Sequence, residues 1–304
     1  MNIASLDLNL LVSLDALLKE RSVTRAARRL GLSQPALSAA LGRLRRHFDD
    51  ELLVRTGNSY DLTPLAAFLV SRTTIALAGV ERVFTAVADL DPARCTREFT
   101  VLTSDYALFA VGSQLVEVLS EVAPQARIRF RQPALSSVMQ VSADLRVWDA
   151  LVFPHGFLGD LPHIDLFEDR WVCIVAQDNA DVGEALTLEQ LGAMPWVSTL
   201  HDPAAWTPAS KQLDLIGVRQ DVRVVTDGFL AVARLVARSD RVALLQARLA
   251  HSLPDVGIRV VECPFDPVPL REAAWWNPVS EHDPEHQLLR SVFREVARRM
   301  PTGP

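Results

Sequence analysis

The first 64 residues carry apolar positions at helical spacing, interrupted by polar residues of the kind that cap helices. Asp7 precedes leucines that recur every three to four positions, which predicts a helix over about 8–20 with the aspartate as its N-cap. A second helix is predicted from about Thr24 to Gly31, because glycine tolerates the positive φ found at helix C-termini. Leu32 is then expected to reach the core across the following turn.

A third helix is predicted to start after Ser33, a strong N-cap residue, with Pro35 in the first turn, where its missing N–H is not needed. Its apolar residues follow at spacings of four, three and four and define a buried face: Leu37, Leu41, Leu44 and Phe48. On the opposite face, Gln34 and Ser38 can hydrogen-bond to base edges. Two short helices joined by a tight turn are the arrangement that places a helix in the major groove of DNA.

Residues 52–63 predict a β-hairpin, because two short apolar runs flank the polar turn Thr56-Gly57-Asn58-Ser59. A hairpin directly after such a helix is a wing, and Arg55 on it is placed to enter a minor groove or contact phosphate.

Thr63-Pro64 predicts the start of a long helix, as an N-cap followed by proline at the first helical position. Its apolar stripe has near-heptad spacing up to the stop at Asp91-Pro92 and comprises Leu65, Leu69, Ala76, Val80, Val83 and Val87. The stripe must be buried either on its own chain or against the same helix of a second copy. We expect dimerisation, since the helix connects two compact units.

From Phe99 the pattern changes to alternating strands and helices, which predicts mostly parallel sheets with helices on their faces. The predicted strands are 99–103, 128–131, 150–153, 171–176, 195–199, 222–226, 242–245 and 270–275. The predicted helices end near Val122, lie between 131 and 150, and span 187–193, 209–216, 228–238 and 285–299. A region of this length suits two small α/β lobes.

The charge of the chain is unevenly distributed. The net charge is −6, yet residues 21–48 hold seven arginines and no acid, and residues 1–64 as a whole carry +2. The N-terminal unit therefore suits phosphates, and the remainder, at −8, does not. Arg25, Arg43 and Arg46 are expected to reach flanking phosphates, as are their neighbours Arg28, Arg29 and Arg45.

Composition and motifs exclude several classes of protein. An apolar content of 49% with 22% charged residues is ordinary for a globular protein. No apolar run approaches the ~18 residues of a membrane span, and no signal peptide is recognisable, so we expect a cytoplasmic protein without membrane association. The three cysteines are predicted to be reduced thiols.

No enzyme, cofactor or metal site is expected. Gly-x-Ser-x-Gly, P-loop and Gly-x-Gly-x-x-Gly motifs are absent from the sequence. His282 and His286 flank Glu285, but Pro284 interrupts the helix that would align them as a zinc pair.

Residues 6–64 resemble the winged helix-turn-helix of LysR-type transcriptional regulators. The resemblance rests on Leu6-Asp7-Leu8-Asn9-Leu10-Leu11, Ser22-Val23-Thr24-Arg25-Ala26-Ala27, Leu32-Ser33-Gln34-Pro35-Ala36-Leu37-Ser38, Leu53-x-Arg55-Thr56 and Leu62-Thr63-Pro64. It implies that Ser33, Gln34, Pro35 and Ser38 face DNA and that Arg25 and Arg55 support backbone or minor-groove contact.

The resemblance also implies a domain organisation and a fold class of α+β multidomain type. A winged helix-turn-helix over 1–64 and a linker or dimerisation helix over 65–91 precede an effector-binding domain over 96–304. That domain resembles periplasmic binding proteins, with lobe I over about 96–167 and 265–304 and lobe II over about 168–264. The implied partners are promoter or operator double-stranded DNA, a small-molecule effector, and a second copy in a homodimer or homotetramer.

Two-lobed domains of this kind bind ligands at the C-terminal ends of strands. The effector-binding residues expected on that basis are Ser104, Asp105, Tyr106, Pro154 with His155, Thr199, His201, Thr226 and Asp227. Ser104-Asp105-Tyr106, together with Trp275-Trp276, resembles the subgroup of nodulation regulators that answer flavonoids and of regulators of aromatic catabolism. That resemblance suggests an aromatic effector, whereas Asp105 and Asp227 would repel a carboxylate.

Two other functions compete with a sequence-specific regulator. The chain could be a small-molecule receptor in which residues 1–64 mediate protein contact, which retardation of its upstream intergenic DNA would contradict. A nonspecific architectural DNA binder would leave the two-lobed region without a purpose.

Overall fold

The structure is a computed structural model that describes residues 7–57, 59–85, 90–132, 145, 148–199, 207–253 and 256–301. The chain forms two compact units, Met1–Ala88 and Asp89–Pro304. Each unit has a hydrophobic core of its own.

Unit 1 begins with three helices, α1 (Leu8–Glu20), α2 (Val23–Leu30) and α3 (Gln34–Phe48). Each starts at a side-chain cap, as the Oδ1 or Oγ atoms of Asp7, Ser22 and Ser33 accept a backbone N–H from the first turn. Helix α2 begins one residue earlier than predicted. The predicted caps and buried face of α3 are confirmed, because Leu37, Leu41 and Leu44 lie in the core.

The expectation for Leu32 is wrong, because its side chain is 46% exposed. The backbone explains the difference. Gly31 has a φ of 65°, and the Leu32 N–H donates to the Ala27 carbonyl oxygen at 2.9 Å, so the turn is closed by main-chain bonds. The side chain of Leu32 is thereby left at the surface.

The predicted hairpin and long helix are present. Strands β1 (Leu53–Thr56) and β2 (Ser59–Leu62) pair antiparallel, and α4 (Pro64–Thr85) follows. The Oγ1 atom of Thr63 accepts the Ala66 N–H at 3.1 Å and donates to Asp50 Oδ1 at 2.7 Å, which joins the start of α4 to the end of α3. Val87 of the predicted stripe lies outside the described residues.

Unit 2 contains ten strands and six α-helices in its described part. The strands are β3 (Glu98–Thr103), β4 (Arg127–Arg131), β5 (Ala150–Pro154), β6 (His163–Asp169), β7 (Trp171–Ala176), β8 (Pro195–Thr199), β9 (Asp221–Thr226), β10 (Val242–Gln246), β11 (Ile258–Val261) and β12 (Leu270–Trp275). The helices are α5 (Asp105–Val122), α6 (Leu188–Ala193), α7 (Pro208–Leu215), α8 (Val232–Val236), α9 (Ala247–His251) and α10 (Pro284–Arg299).

The strands form two five-stranded sheets, which we call lobe I and lobe II. Lobe I has the order β4-β3-β5-β12-β6 and lobe II the order β11-β7-β10-β8-β9. Strand β3 is parallel to β4 and β5, and β8 is parallel to β9 and β10. The chain passes from lobe I to lobe II at Arg170 and returns between β11 and β12.

The sheets are mixed rather than mostly parallel. Strands β7 and β12 each run antiparallel to both of their neighbours, and each is the first strand after a crossing between lobes. Strands β6 and β11 and helix α9 were not predicted, and the helix expected over 228–238 is confined to α8. The helix expected between 131 and 150 falls largely on residues outside the described part.

A buried ion network anchors the first strand of lobe I. The guanidinium of Arg97 lies 2.5 Å from Asp149, 2.8 Å from Asp283 and 3.1 Å from Glu285. Burial acts to lower the pKa of Arg97, but these carboxylates outweigh it and raise the pKa. One arginine therefore ties β3 to the loop before β5 and to the start of α10.

The three cysteines are free thiols, as predicted, and Cys95 and Cys173 are buried. Within the ranges that the structure describes, every helix is too short or too polar to cross a membrane.

Candidate nucleic-acid interface and ligand cleft

Helix α3 presents a polar face to solvent opposite its buried leucines. Ser33, Gln34, Pro35 and Ser38 are all exposed. Because Leu37 is fully buried on the other side, the orientation of α3 about its own axis is fixed by packing. The four exposed residues are thus held on a rigid helix, with the Ser33 cap at its N-terminus.

Four arginines that were expected to contact DNA are exposed: Arg25, Arg43, Arg46 and Arg55. We call them the DNA-facing arginines. Three of them have partners within unit 1. Arg25 pairs with Glu20 at 3.5 Å, and Arg43 with Asp7 at 3.2 Å. Arg55 donates from Nε to its own wing turn, at the Gly57 carbonyl oxygen. For Arg46, the described residues provide no hydrogen bond or ion pair.

Arg45 has a different role from its neighbours. Its Nε donates to the Glu51 carbonyl oxygen at 2.9 Å and its Nη2 to that of Leu53 at 3.1 Å. The guanidinium therefore joins α3 to the first strand of the wing. Because these backbone bonds occupy the guanidinium, a contact between Arg45 and phosphate stays a prediction.

The C-terminal edges of the parallel strands of the two lobes face each other. Asp105, just after β3, accepts the backbone N–H groups of Phe229 and Leu230, just after β9, at 3.0 Å each. We call this contact the lobe latch. Gly228 permits it, because a Cβ atom there would lie 2.4 Å from Asp105 Oδ2.

Tyr106 is buried beside the latch rather than open to a cavity. Its hydroxyl donates to Asp169 Oδ2 at 2.5 Å, where the chain crosses into lobe II. Burial, followed by the charge of Asp169, raises the pKa of Tyr106, so the hydroxyl stays protonated. The rings of Phe167 and Phe229 lie edge-on to Tyr106 with centroids 6.2 Å away, so aromatic rings pack beside the lobe latch.

The remaining expected effector residues lie at the same strand ends, with one outside the described part. Ser104 caps α5, and Pro154 ends β5 in a half-buried position. Thr199 and Thr226 are register partners at the ends of β8 and β9. Asp227 is exposed. His201 lies outside the described residues.

Sequence reasoning missed Glu272, a carboxyl buried next to Asp169. Burial, with a smaller contribution from Asp169, raises the pKa of Glu272 to about 8. Its Oε2 atom has no hydrogen-bond partner among the described residues. The sequence shows only a charged residue inside the apolar strand Leu270–Trp275. A glutamate on the solvent-facing side of that strand would give the same pattern.

A separate groove of about 510 Å³ lies in lobe II between β8, β9 and α7. Ser198, Ser210, Asp214, Val218, Arg219, Gln220 and Val222 line it. It is not lined by the expected effector residues, and the lobe latch lies elsewhere.

A winged helix-turn-helix with an exposed polar helix face, followed by a two-lobed α/β region, defines a DNA-binding transcription regulator with a ligand-binding domain. Comparison with known proteins identifies the family. Residues 8–67 match the bacterial regulatory helix-turn-helix protein, lysR family, and residues 100–298 match the LysR substrate binding domain.

The similarity extends over whole chains. Nodulation protein D 2 of Rhizobium leguminosarum bv. phaseoli is 34% identical over 309 residues, which cover 99% of this chain and 95% of that protein. A probable transcriptional regulator from Pseudomonas aeruginosa is 26% identical with a TM-score of 0.67, covering 96% of this chain and 98% of that one. Full-length CbnR, solved with its target DNA, shares the fold at 14% identity, with a TM-score of 0.65 and coverage of 97% and 100%.

The chain belongs to the LysR family of transcription regulators. The family and the function expected from the sequence are confirmed: it is a DNA-binding transcription regulator with a substrate-binding effector domain. The fold class is confirmed as well. Regulators of this family bind DNA and small-molecule effectors and form oligomers.

Proposed function

We propose that α3 reads operator sequence through Gln34 and Ser38, while the DNA-facing arginines hold the phosphate backbone. The observation that carries the proposal is the rigid, exposed polar face of α3 opposite Leu37. An amide at position 34 can bond an adenine edge bidentately, whereas the guanidinium of Arg46 recognises charge without sequence.

Gel shifts on the chain's own upstream intergenic DNA and on a random duplex test these roles. Gln34→Ala should cost about 1–3 kcal/mol on the specific duplex and much less on the random one. Arg46→Ala should weaken both duplexes equally. Arg223→Ala, an exposed arginine of unit 2, is the control for lost charge. Equal losses on both duplexes for Gln34→Ala would refute the readout role.

We infer that α4 is the dimerisation helix, with a second copy of this chain as its partner. Leu69 and Val70 pack on the core of unit 1, and Thr74 Oγ1 donates to Asp15 of α1, so one side of the first half of α4 is covered by its own chain. Near the end of the helix, Val83 and Phe84 are exposed. Exposed apolar side chains that lie next to each other are typical of surfaces that another protein chain covers. Residues 65–91 thus remain a proposed linker between the proposed units 1–64 and 96–304.

Sedimentation analysis of Phe84→Asp tests this helix. A charge at this position should shift the protein toward the monomer at micromolar concentration. Leu215→Asp in α7 is the matched control, since Leu215 is 85% exposed and Phe84 is 84% exposed. An unchanged oligomer for Phe84→Asp would exclude this part of α4 from the interface.

We propose that an uncharged aromatic effector binds at the latch, between the C-terminal strand ends of the two lobes. Phe229 is half-buried there, and the buried rings of Tyr106 and Phe167 pack behind it. The carboxylate of Asp105 already occupies the two N–H groups that would otherwise attract an anion. The other expected residues, Ser104, Pro154, Thr199, His201, Thr226 and Asp227, stay in this proposal as polar and rim contacts.

A thermal-shift screen that pairs neutral aromatic compounds with their carboxylated analogues tests the effector class. A ligand present at 100 times its Kd stabilises the protein by about 2.7 kcal/mol. The neutral compound of a pair should stabilise, and Phe229→Ala should remove the effect. Stabilisation by the carboxylates alone would reject the proposed class.

We further propose that the protein acts in the cytoplasm and is not an enzyme. Membership of a family of transcription regulators supports both inferences.

A further inference from the structure

Lobe I carries a cluster of two imidazoles and a carboxylate, of which only His155 was among the expected effector residues. His155 follows β5, and His163 and Asp165 lie two positions apart on β6, so they share one face of the sheet. One potential ligand atom from each of the three residues lies within 4.8 Å of the other two. Strand β12 runs between β5 and β6 and contributes Ala273 opposite Asp165.

The separations match those around a small metal ion. His155 Nε2 lies 2.7 Å and His163 Nε2 lies 3.8 Å from the same atom, Asp165 Oδ1. A tetrahedral zinc ion with bonds of about 2.0–2.1 Å keeps its ligand atoms about 3.3 Å apart. The two distances to Asp165 Oδ1 lie about half an ångström below and above this value, so side-chain movements of at least that size would admit an ion.

The surrounding structure holds the imidazoles in place. His163 Nδ1 lies 3.0 Å from the Leu161 carbonyl oxygen, and an N–H at that position leaves the lone pair of Nε2 free for a metal. The ring of Trp275 packs against both imidazoles, with centroids 4.4 Å from His163 and 4.9 Å from His155. Trp275 is itself fixed, because its Nε1 donates to the Phe153 carbonyl oxygen at 2.8 Å.

We propose that His155, His163 and Asp165 form a binding site for a divalent transition metal ion such as Zn²⁺. Two imidazoles and one carboxylate suit Zn²⁺, Ni²⁺, Co²⁺ or Cu²⁺, whereas Mg²⁺ and Ca²⁺ prefer sites made of oxygen alone. The Asp165 side chain is 74% exposed, so an ion can enter from solvent and complete its coordination with water. A bound ion would fasten the segment after β5 to β6.

Sequence reasoning expected no metal ligand here. The spacing His-x₇-His-x-Asp corresponds to no common zinc motif, and it is the sheet order β5-β12-β6 that brings the three residues together. His163 and Asp165 take no part in the effector and DNA contacts proposed above, whereas His155 was also an expected effector residue.

Isothermal titration of the metal-free, full-length protein without a histidine tag tests the site, with ZnCl₂ as the probe. We expect one equivalent of Zn²⁺ per chain, not displaced by Mg²⁺. Loss of an outer-shell partner typically weakens metal binding by 10–100-fold. Removal of a ligand in His163→Ala or Asp165→Ala should therefore weaken it by about 100-fold or more. His251→Ala, an exposed histidine of α9, is the control and should leave the affinity unchanged.

Tryptophan fluorescence supplies a second measurement. Cu²⁺ bound at the cluster should quench Trp275, and Trp275→Phe should remove that component of quenching while one equivalent of Zn²⁺ still binds. Melting temperatures of the metal-free variants verify that each is folded. Absence of Zn²⁺ uptake, or an affinity unchanged in both His155→Ala and His163→Ala, would overturn the proposal.

Discussion

The contribution of the lobe latch to the unfolding free energy can be calculated from its hydrogen bonds. In Asp105→Ala, two hydrogen bonds from a carboxylate to the Phe229 and Leu230 N–H groups are lost. Hydrogen bonds to charged groups contribute about 1.5–3 kcal/mol each. Because Asp105 is half-exposed, the lower value applies, and the variant should lose about 3 kcal/mol of unfolding free energy.

A loss of that size is measurable as a melting temperature. For a domain of 150–250 residues, 1 kcal/mol corresponds to roughly 2–4 °C, so Asp105→Ala should melt about 6–12 °C lower. Asp227→Ala is the matched control, since Asp227 is an exposed acid just after β9, two residues before Phe229. If the melting temperatures of the two variants fell equally, the latch would not stabilise the folded protein.

A double-mutant cycle with Gly228 separates the latch from a general loss of charge. In the wild-type background, Gly228→Ala places a Cβ atom 2.4 Å from Asp105 Oδ2, and overpacking of this kind costs about 1–3 kcal/mol. In Asp105→Ala that carboxylate is gone, so the glycine substitution should be nearly neutral. Additive effects would contradict the geometry.

Three further predictions concern other parts of the chain. Arg97→Ala should lose about 3–5 kcal/mol of unfolding free energy in urea titrations, with a smaller loss for Arg97→Lys, because three acids lose the positive charge that they share. Because the pKa of Glu272 is raised to about 8 in the folded state, folding favours its protonated form. Stability should therefore decline as pH rises from about 5 to 8, and Glu272→Gln should abolish that decline, which amounts to several kcal/mol at about 1.4 kcal/mol per pH unit. In a dimer, the four DNA-facing arginines of each chain offer eight phosphate contacts. A plot of the logarithm of DNA affinity against the logarithm of salt concentration should therefore have a slope near −7. If Arg46 were the one arginine to contact phosphate, the slope would be about −2.

Much of unit 1 was predictable, because its signals are local. The caps at Asp7 and Ser33 lie next to the helices that they start, and the leucines of α3 reveal their common face by spacing alone. The wing follows from two short runs around Gly57. The exposed side chain of Leu32 was mispredicted, because the spacing of apolar residues does not show that the main chain closes the turn.

The features of unit 2 that matter most depend on residues far apart in the chain. Asp105 bonds to Phe229, which is 124 positions further along the chain. Because the donors are backbone N–H groups, which every residue except proline has, the side chains of the partner residues do not indicate the contact. The buried state of Glu272 results from β12 returning between β5 and β6, which strand alternation does not specify. Sequence patterns therefore predict which strand ends lie at the same edge of a sheet, but not that a carboxylate of one lobe bonds to the backbone of the other.

The strength of each arginine's bonds within unit 1 determines how readily a phosphate can replace its partner. Exposed ion pairs such as Arg25–Glu20 and Arg43–Asp7 contribute only about 0–1 kcal/mol, so a phosphate can replace the carboxylate at little cost. Arg45 differs, because its partners are two backbone carbonyl oxygens that join α3 to the wing. Drawing Arg45 toward a phosphate would loosen the wing that positions Arg55. Arg45 is thus distinguished from the DNA-facing arginines because its two backbone bonds join α3 to the wing, whereas the backbone bond of Arg55 lies within its own turn.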